Sequence, residues 1–194
     1  PRCLTPVQRE SINAKPKQSN LPTFFMCNAR SACNKFDELS AVFSFHYTDV
    51  AAITETWFRN DCSPEQFSIQ GYCLFSKSRT SRIGGGVAIY VKEALNPSPV
   101  AVQVPDNLEV TWVKLRPPRL PRSISCIFCA VVYYPQPDVH LEAQLTDHLI
   151  ATIDDLTTNH PDAGLVILGD FNQMNIDGLL TNHNLRQVVK TPTR

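Results

Sequence analysis

Apolar residues along this chain fall into short runs that break at polar or glycine-rich positions, and the spacing inside each run separates strands from helices. Phe24, Phe25, Met26 and Cys27 form a compact apolar run ending at Asn28, which predicts a short strand. Phe36, Leu39, Val42 and Phe43 then recur at helical spacing, predicting a helix that starts near Cys33. Residues 50–53 read as a buried strand that delivers Glu55 at its end. Residues 72–75 and 86–91 resemble a strand pair joined by a basic, glycine-rich loop. Residues 108–115 alternate in part and 124–134 are almost continuously apolar, so both are predicted strands, with Pro117, Pro118 and Pro121 marking the turn between them. Asp138 is placed to cap a helix whose stripe is Leu141, Leu145, Leu149, Ile153 and Leu156. Residues 165–168 predict a last, short, buried strand that opens into Gly169 and Asp170.

Strands outnumber helices in this pattern and include neighbouring hairpin candidates. Sheets covered by helices are therefore expected, rather than a simple alternating parallel fold. Residues 1–21 are polar and punctuated by Pro6 and Pro16, and read as a linker or loose arm ahead of one domain spanning 22–194. A chain of 194 residues can bury one sizeable core, and 43% hydrophobic against 19% charged residues is the composition of a globular domain.

Composition narrows the chemistry only slightly. Formal net charge is zero, so a polyanionic partner would need a local basic patch. Lys77, Arg79 and Arg82 on one loop, and Arg116, Arg119 and Arg122 on another, are the candidates; solvated turns are the plainer reading of both. The seven cysteines are odd in number and lie in apparent core segments, which points to reduced thiols and an intracellular setting rather than a disulfide framework. Cys126 and Cys129 form a C-x-x-C, but inside a predicted strand, where core packing is expected instead of redox or zinc chemistry. No run approaches the ~20 apolar residues of a membrane span, so no membrane partner is expected.

The recurring chemical feature is a polar residue at the end of an apolar strand: Asn28, Glu55, Tyr133 with Tyr134, and Asp170 with Asn172. Strand ends held by a rigid sheet are where α/β enzymes collect catalytic groups. If these ends share a rim, they supply carboxylates, carboxamides and phenols, hard oxygen ligands suited to Mg²⁺ or Mn²⁺. Each residue also has a plain structural reading: Glu55 as a surface carboxylate, Asn28 as a turn cap, either tyrosine as a half-buried strand aromatic. The glycines 84–86 precede a strand and read as a turn rather than a phosphate cradle.

In chain order, Asn28-Ala29-Arg30-Ser31, Thr54-Glu55-Thr56-Trp57, the 84–90 segment GGGVAIY, Tyr133-Tyr134-Pro135 and Gly169-Asp170-Phe171-Asn172 resemble motifs of the endonuclease/exonuclease/phosphatase superfamily. The first two forms resemble in particular the endonuclease domains of non-LTR (LINE-type) retrotransposons. The resemblance implies a four-layer α/β sandwich, two mainly antiparallel sheets flanked by helices. It implies a metal held by Glu55 with Asn28 in support, Tyr133 at the scissile phosphate with Gln136 beside it, Asp170 on the attacking water and Asn172 facing charge on phosphorus. Arg79 and Arg82 would then bind substrate. The implied activity is Mg²⁺- or Mn²⁺-dependent nicking of DNA, in cis with a reverse transcriptase and in the nucleus. A phosphatase of small phosphoesters or phosphoinositides, and an inactive or binding-only relic, are the alternatives. Family members continue with an Asp-bearing strand and a Ser-Asp-His strand that this sequence does not reach, so a sandwich lacking its last strands and impaired activity are expected. Thr146-Asp147-His148 imitates the latter motif, but on a predicted helix, and is expected to be structural.

Overall fold

The computed structural model describes residues 21–59, 64–79 and 84–190. The arm at 1–20, together with Cys3, Cys62 and Arg82, lies outside the described residues.

The described residues form two four-stranded sheets. In the first, β1 (Phe24–Asn28), β2 (Val50–Thr54), β3 (Tyr72–Lys77) and β4 (Val87–Lys92) lie in the order β1-β2-β4-β3. In the second, β5 (Ser98–Pro99), β6 (Glu109–Leu115), β7 (Ile127–Tyr133) and β8 (Gly164–Asp170) lie in sequence order. Helix α1 (Phe36–Phe45) connects β1 to its parallel neighbour β2, and α2 (Val139–Asn159) connects β7 to its parallel neighbour β8. The other four pairings are antiparallel. A helical crossover is what a parallel pair requires, so each sheet carries one βαβ unit beside antiparallel strands.

The two-residue period of the strands sorts their side chains into layers. Val50 and Ala52 of β2, Val87, Ile89 and Val91 of β4, and Cys129 and Val131 of β7 point between the sheets. Ala51, Ile53, Ala88 and Tyr90 point the other way, onto Leu39 and Phe43 of α1. Phe128, Ala130 and Val132 likewise face Leu145, Leu149, Ile153 and Leu156 of α2. This is a four-layer α/β sandwich, and it explains why β2, β4 and β7 read as nearly unbroken apolar runs: both of their faces are covered. Asp138 caps α2 as expected, its Oδ1 accepting from the amides of His140 (2.9 Å) and Leu141 (3.1 Å).

Cys126 packs on the α2 side and Cys129 between the sheets, because an odd step along a strand reverses the face. They cannot act as a pair, and burial pushes the Cys129 thiol well above its usual range. Cys27, Cys73, Cys126 and Cys129 are free thiols; Cys33, unlike the buried expectation, is exposed at the start of the 3-10 turn before α1.

Three expectations change. The last strand extends over Gly164–Asp170, and every residue in it is half-buried rather than buried. Among the described residues it is an edge, as is β1, each with a sheet neighbour on one side. The basic residues Arg116, Arg119 and Arg122 are exposed beyond Leu115, whose partner Ile127 begins β7, so they occupy the rim opposite the strand ends described below. A short helix α3 (Asp177–Asn182) follows β8, and the pattern did not predict it. No helix among the described residues is long and apolar enough to cross a membrane.

Candidate active site

The parallel pairs bring four strand ends to one rim. Asn28 ends β1 opposite Thr54 at the end of β2, and Tyr133 ends β7 opposite Asp170 at the end of β8. Because β1 and β8 lie against each other across the sandwich, the two pairs meet. Asn28 Nδ2 donates to Glu55 Oε1 at 2.7 Å and to Asp170 Oδ2 at 2.9 Å, joining carboxylates that belong to different sheets. Tyr133 Oη donates to the same Glu55 oxygen at 2.9 Å. Asp170 Oδ1 accepts from the Asn172 amide at 3.3 Å, and Asn172 Nδ2 donates to the Tyr134 carbonyl at 2.7 Å.

The backbone here is strained in a way that aims these groups. Glu55 (φ 51°), Trp57 (φ 55°) and Asn172 (φ 46°) adopt left-handed conformations that cost non-glycine residues roughly 1–3 kcal/mol each. Neighbouring loops hold residues 55–57 there: Ser31 and Ala32 amides donate to the Glu55 and Thr56 carbonyls (2.9 Å each), and Thr56 and Trp57 amides donate to Gly86 and Gly85 carbonyls (3.2 and 2.9 Å). Gly169, the residue before Asp170, lies so close to Val132 that a Cβ would collide with its carbonyl. That close approach lets β8 end beside Tyr133.

Both side-chain hydrogen bonds to Glu55 fall on Oε1, and among the described residues Oε2 accepts none. Burial and the hydrogen bond to Glu55 push the Tyr133 phenol well above its ordinary range, so it remains a donor across the physiological pH span. Among the described residues no three His, Cys, Asp or Glu side chains form a metal cage. A single open carboxylate oxygen beside a carboxamide fits a hydrated Mg²⁺ or Mn²⁺ that would complete its shell with water and phosphate oxygens. Zinc, which prefers nitrogen and sulfur, is not matched by these donors. Asn28, expected beside the metal, turns its amide nitrogen to both carboxylates and its Oδ1 to the Arg30 amide (3.2 Å), so here it serves as the bridge between them.

Next to this cluster is an open cleft of about 250 Å³ lined by Glu55, Trp57, Arg79, Gly84, Gly85, Tyr133, Pro135 and Gln136. Arg79 and Gln136, both expected to meet substrate, therefore line the same hollow as Glu55 and Tyr133.

Residues 25–189 match the profile of the Endonuclease/Exonuclease/phosphatase family. The chain belongs to this family. Among solved structures it is similar to the AP endonuclease LMAP of Leishmania major (16% identity, TM-score 0.60, covering 90% of this chain and 69% of that one). It is also similar to the human Nocturnin catalytic domain, solved with a bound sulfate anion (14%, TM-score 0.55, covering 84% and 68%). A third is D. rerio TDP2 complexed with single-strand DNA product (11%, TM-score 0.52, covering 85% and 65%). At these identities the likeness is one of fold. No curated protein sequence matches the chain.

Within this family member, His148 is not at the rim: it lies half-buried on α2, its Nε2 accepting from Trp112 Nε1 at 3.4 Å. Lys77, part of the expected basic loop, is tied to the carbonyls of Val104 (3.2 Å) and Pro105 (2.5 Å) instead of facing the cleft. Two residues at the cleft had no role assigned from sequence. Trp57 is 40% exposed and lies with its indole beside Gly84. Glu109, at 7% exposure, sits under the cleft and accepts from Arg79 Nε at 2.7 Å. A carboxylate heading a partly alternating strand was the available signal for Glu109, but only its register opposite Tyr133 gives it meaning.

Proposed function

We propose that this chain hydrolyses phosphodiester bonds, with DNA as substrate, as the nicking endonuclease domain of a retrotransposon-like protein that also carries a reverse transcriptase. The observation that carries the reading is the hydrogen-bonded junction of Glu55, Asn28, Tyr133 and Asp170, opening beside a cleft that holds a guanidinium. Phosphodiester hydrolysis needs an activated water and positive or hydrogen-bonding groups around the phosphate oxygens. Asp170 would orient the water and accept its proton. Tyr133 and Asn172 would donate to the phosphate, and Gln136 and Arg79 would hold it in the cleft. Mg²⁺ or Mn²⁺, when bound at Glu55 with Asn28 alongside, supplies Lewis-acid polarisation of the phosphate.

DNA is favoured over a small phosphoester by the exposed Trp57 ring on the cleft wall. A rim aromatic offers a stacking face worth about 1–3 kcal/mol per base, and a lone phosphate does not require one. Among the structural neighbours, D. rerio TDP2 was solved with a single-strand DNA product.

The test is relaxation of supercoiled plasmid by the full-length protein with Mg²⁺, beside Asp170→Ala and Trp57→Ala. Nicking that Asp170→Ala abolishes, and that Trp57→Ala slows by weakening DNA binding, is expected. No nicking, or hydrolysis confined to small phosphoesters, overturns the assignment.

A further inference from the structure

Glu109 has no part in the cluster at the strand ends, yet it is a carboxylate buried directly behind the cleft. It opens β6 opposite Tyr133, the residue that donates to Glu55. One of its oxygens accepts from Arg79, through Nε at 2.7 Å and through Nη2; the other accepts from the Gly86 amide. Arg79 is only 12% exposed for so long a side chain, and its guanidinium carbon stands 6.0 Å over the centre of the Tyr133 ring. The loop backbone closes the remaining space: at Gly85 (φ 70°) a Cβ would collide with both the guanidinium and the Glu109 carboxylate.

An arginine on a loop ordinarily samples many rotamers, and orienting it on a phosphate costs that freedom. Here the freedom is already lost before substrate arrives. Nε and Nη2 are committed to Glu109, while Nη1 makes no hydrogen bond among the described residues and belongs to a guanidinium that lines the cleft. A purely structural ion pair would not need an arginine that lines the cleft beside Glu55 and Tyr133. Simple anchoring of the loop would be met by Gly86 alone.

The geometry points to Glu109 as a positioning residue that acts through Arg79, holding one edge of the guanidinium so that the other is presented to a phosphate oxygen of the DNA in the cleft. The inference rests on the phosphodiester-hydrolase reading above. Glu109 touches no substrate; it fixes the direction from which Arg79 approaches, and Gly85 and Gly86 are the backbone that this pairing requires.

A double-mutant cycle with Arg79→Ala, Glu109→Gln and the double variant tests it in the full-length protein. Plasmid nicking measures kcat and KM, and binding of a short DNA duplex in EDTA provides a readout independent of catalysis. Each single variant is expected to lose about a hundredfold in kcat/KM, the scale of a misplaced contact, and the double variant to lose no more than Arg79→Ala alone. The salt dependence of duplex binding should weaken by about one phosphate contact in both single variants. Losses that multiply in the double variant, or Glu109→Gln with wild-type nicking and salt dependence, overturn the inference while leaving the hydrolase reading intact. If the wild type does not nick, the hydrolase reading fails and the binding cycle alone decides on Glu109. Should melting curves show Glu109→Gln unfolded, Glu109→Asp replaces it. That variant keeps the charge while withdrawing it from Arg79 by one methylene, and the same coupling is expected.

Discussion

Replacing Asn28 with aspartate swaps the nitrogen that joins the two sheets for a third carboxylate oxygen. In the native site Nδ2 donates to Glu55 at 2.7 Å and to Asp170 at 2.9 Å. Asn28→Asp converts both contacts into repulsions of nearly unchanged geometry. With charge centres about 4 Å apart, each pair costs about 1 kcal/mol in water and about 4 kcal/mol at an effective dielectric near 20. Asn28 is half-buried, so two such pairs plus two lost charge-assisted hydrogen bonds exceed ~4 kcal/mol. Proton uptake sets a ceiling: lifting an aspartate from its ordinary pKa past neutrality takes about three units, or about 4 kcal/mol. The penalty at pH 7 is therefore about 3–4 kcal/mol, and a domain of this size should melt roughly 6–15 °C lower. The three carboxylates also form a stronger cation site than the native pair. Mg²⁺ at a hundredfold excess over its dissociation constant should restore about 2.7 kcal/mol, and more than it adds to the wild type. The assay is thermal melting at pH 7 in EDTA and in MgCl₂. A variant that melts within about 2 °C of wild type in EDTA, or gains no more from Mg²⁺ than wild type does, refutes the bridging role.

Tyr133→Phe removes the donor to Glu55 and, by the proposed mechanism, a donor to phosphate. Nicking should fall roughly a hundredfold, while losing one hydrogen bond to a carboxylate, about 1.5–3 kcal/mol, lowers the melting temperature by roughly 3–12 °C, so nicking assayed well below that transition separates a chemical from a structural role. Gly85→Ala combines a left-handed backbone (φ 70°) with a collision against Arg79 and Glu109. Calorimetry should show a loss of at least about 1 kcal/mol, and nicking should drop in parallel. His148 is held neutral by burial and by Lys77, its folded pKa lying below the ordinary value. Its contribution to stability is complete above the unfolded pKa of about 6.5 and is lost as pH falls toward the folded value. Urea midpoints measured from pH 8 to 5 should decline less in His148→Gln than in wild type. An equal decline would show that other groups carry the acid sensitivity.

Local pattern foretold most of the elements. The β3–β4 and β6–β7 hairpins, the cap at Asp138 and the stripe of α2 all formed where apolar spacing and turn residues placed them. The helix α3 was missed because six residues with one buried side chain, Leu179, leave too little periodicity to detect. The strand at 164–170 was read as buried because its apolar run resembles a central strand; its position at a sheet edge is not encoded in its own residues. For the site, Asn28, Glu55, Tyr133 and Asp170 were identifiable as polar residues ending apolar strands, and they do meet. The Arg116–Arg122 loop looked equivalent to the loop carrying Arg79, because composition cannot say at which end of a sheet a turn lies.

The sequence by itself determined where most strands and helices lie, which face of α2 packs inward, and that the ends at Asn28, Glu55, Tyr133 and Asp170 carry groups able to bind a metal or a phosphate. Those are consequences of periodicity and of backbone preferences within a few residues. Tertiary structure decided that β1 and β2, and β7 and β8, run parallel, so that four ends share one rim, and that the two sheets stack with Asn28 reaching Asp170, 142 positions away. It also turned Glu109 from a strand residue into the support behind Arg79. Register and sheet stacking come from packing between distant segments, and no local pattern of residues contains them.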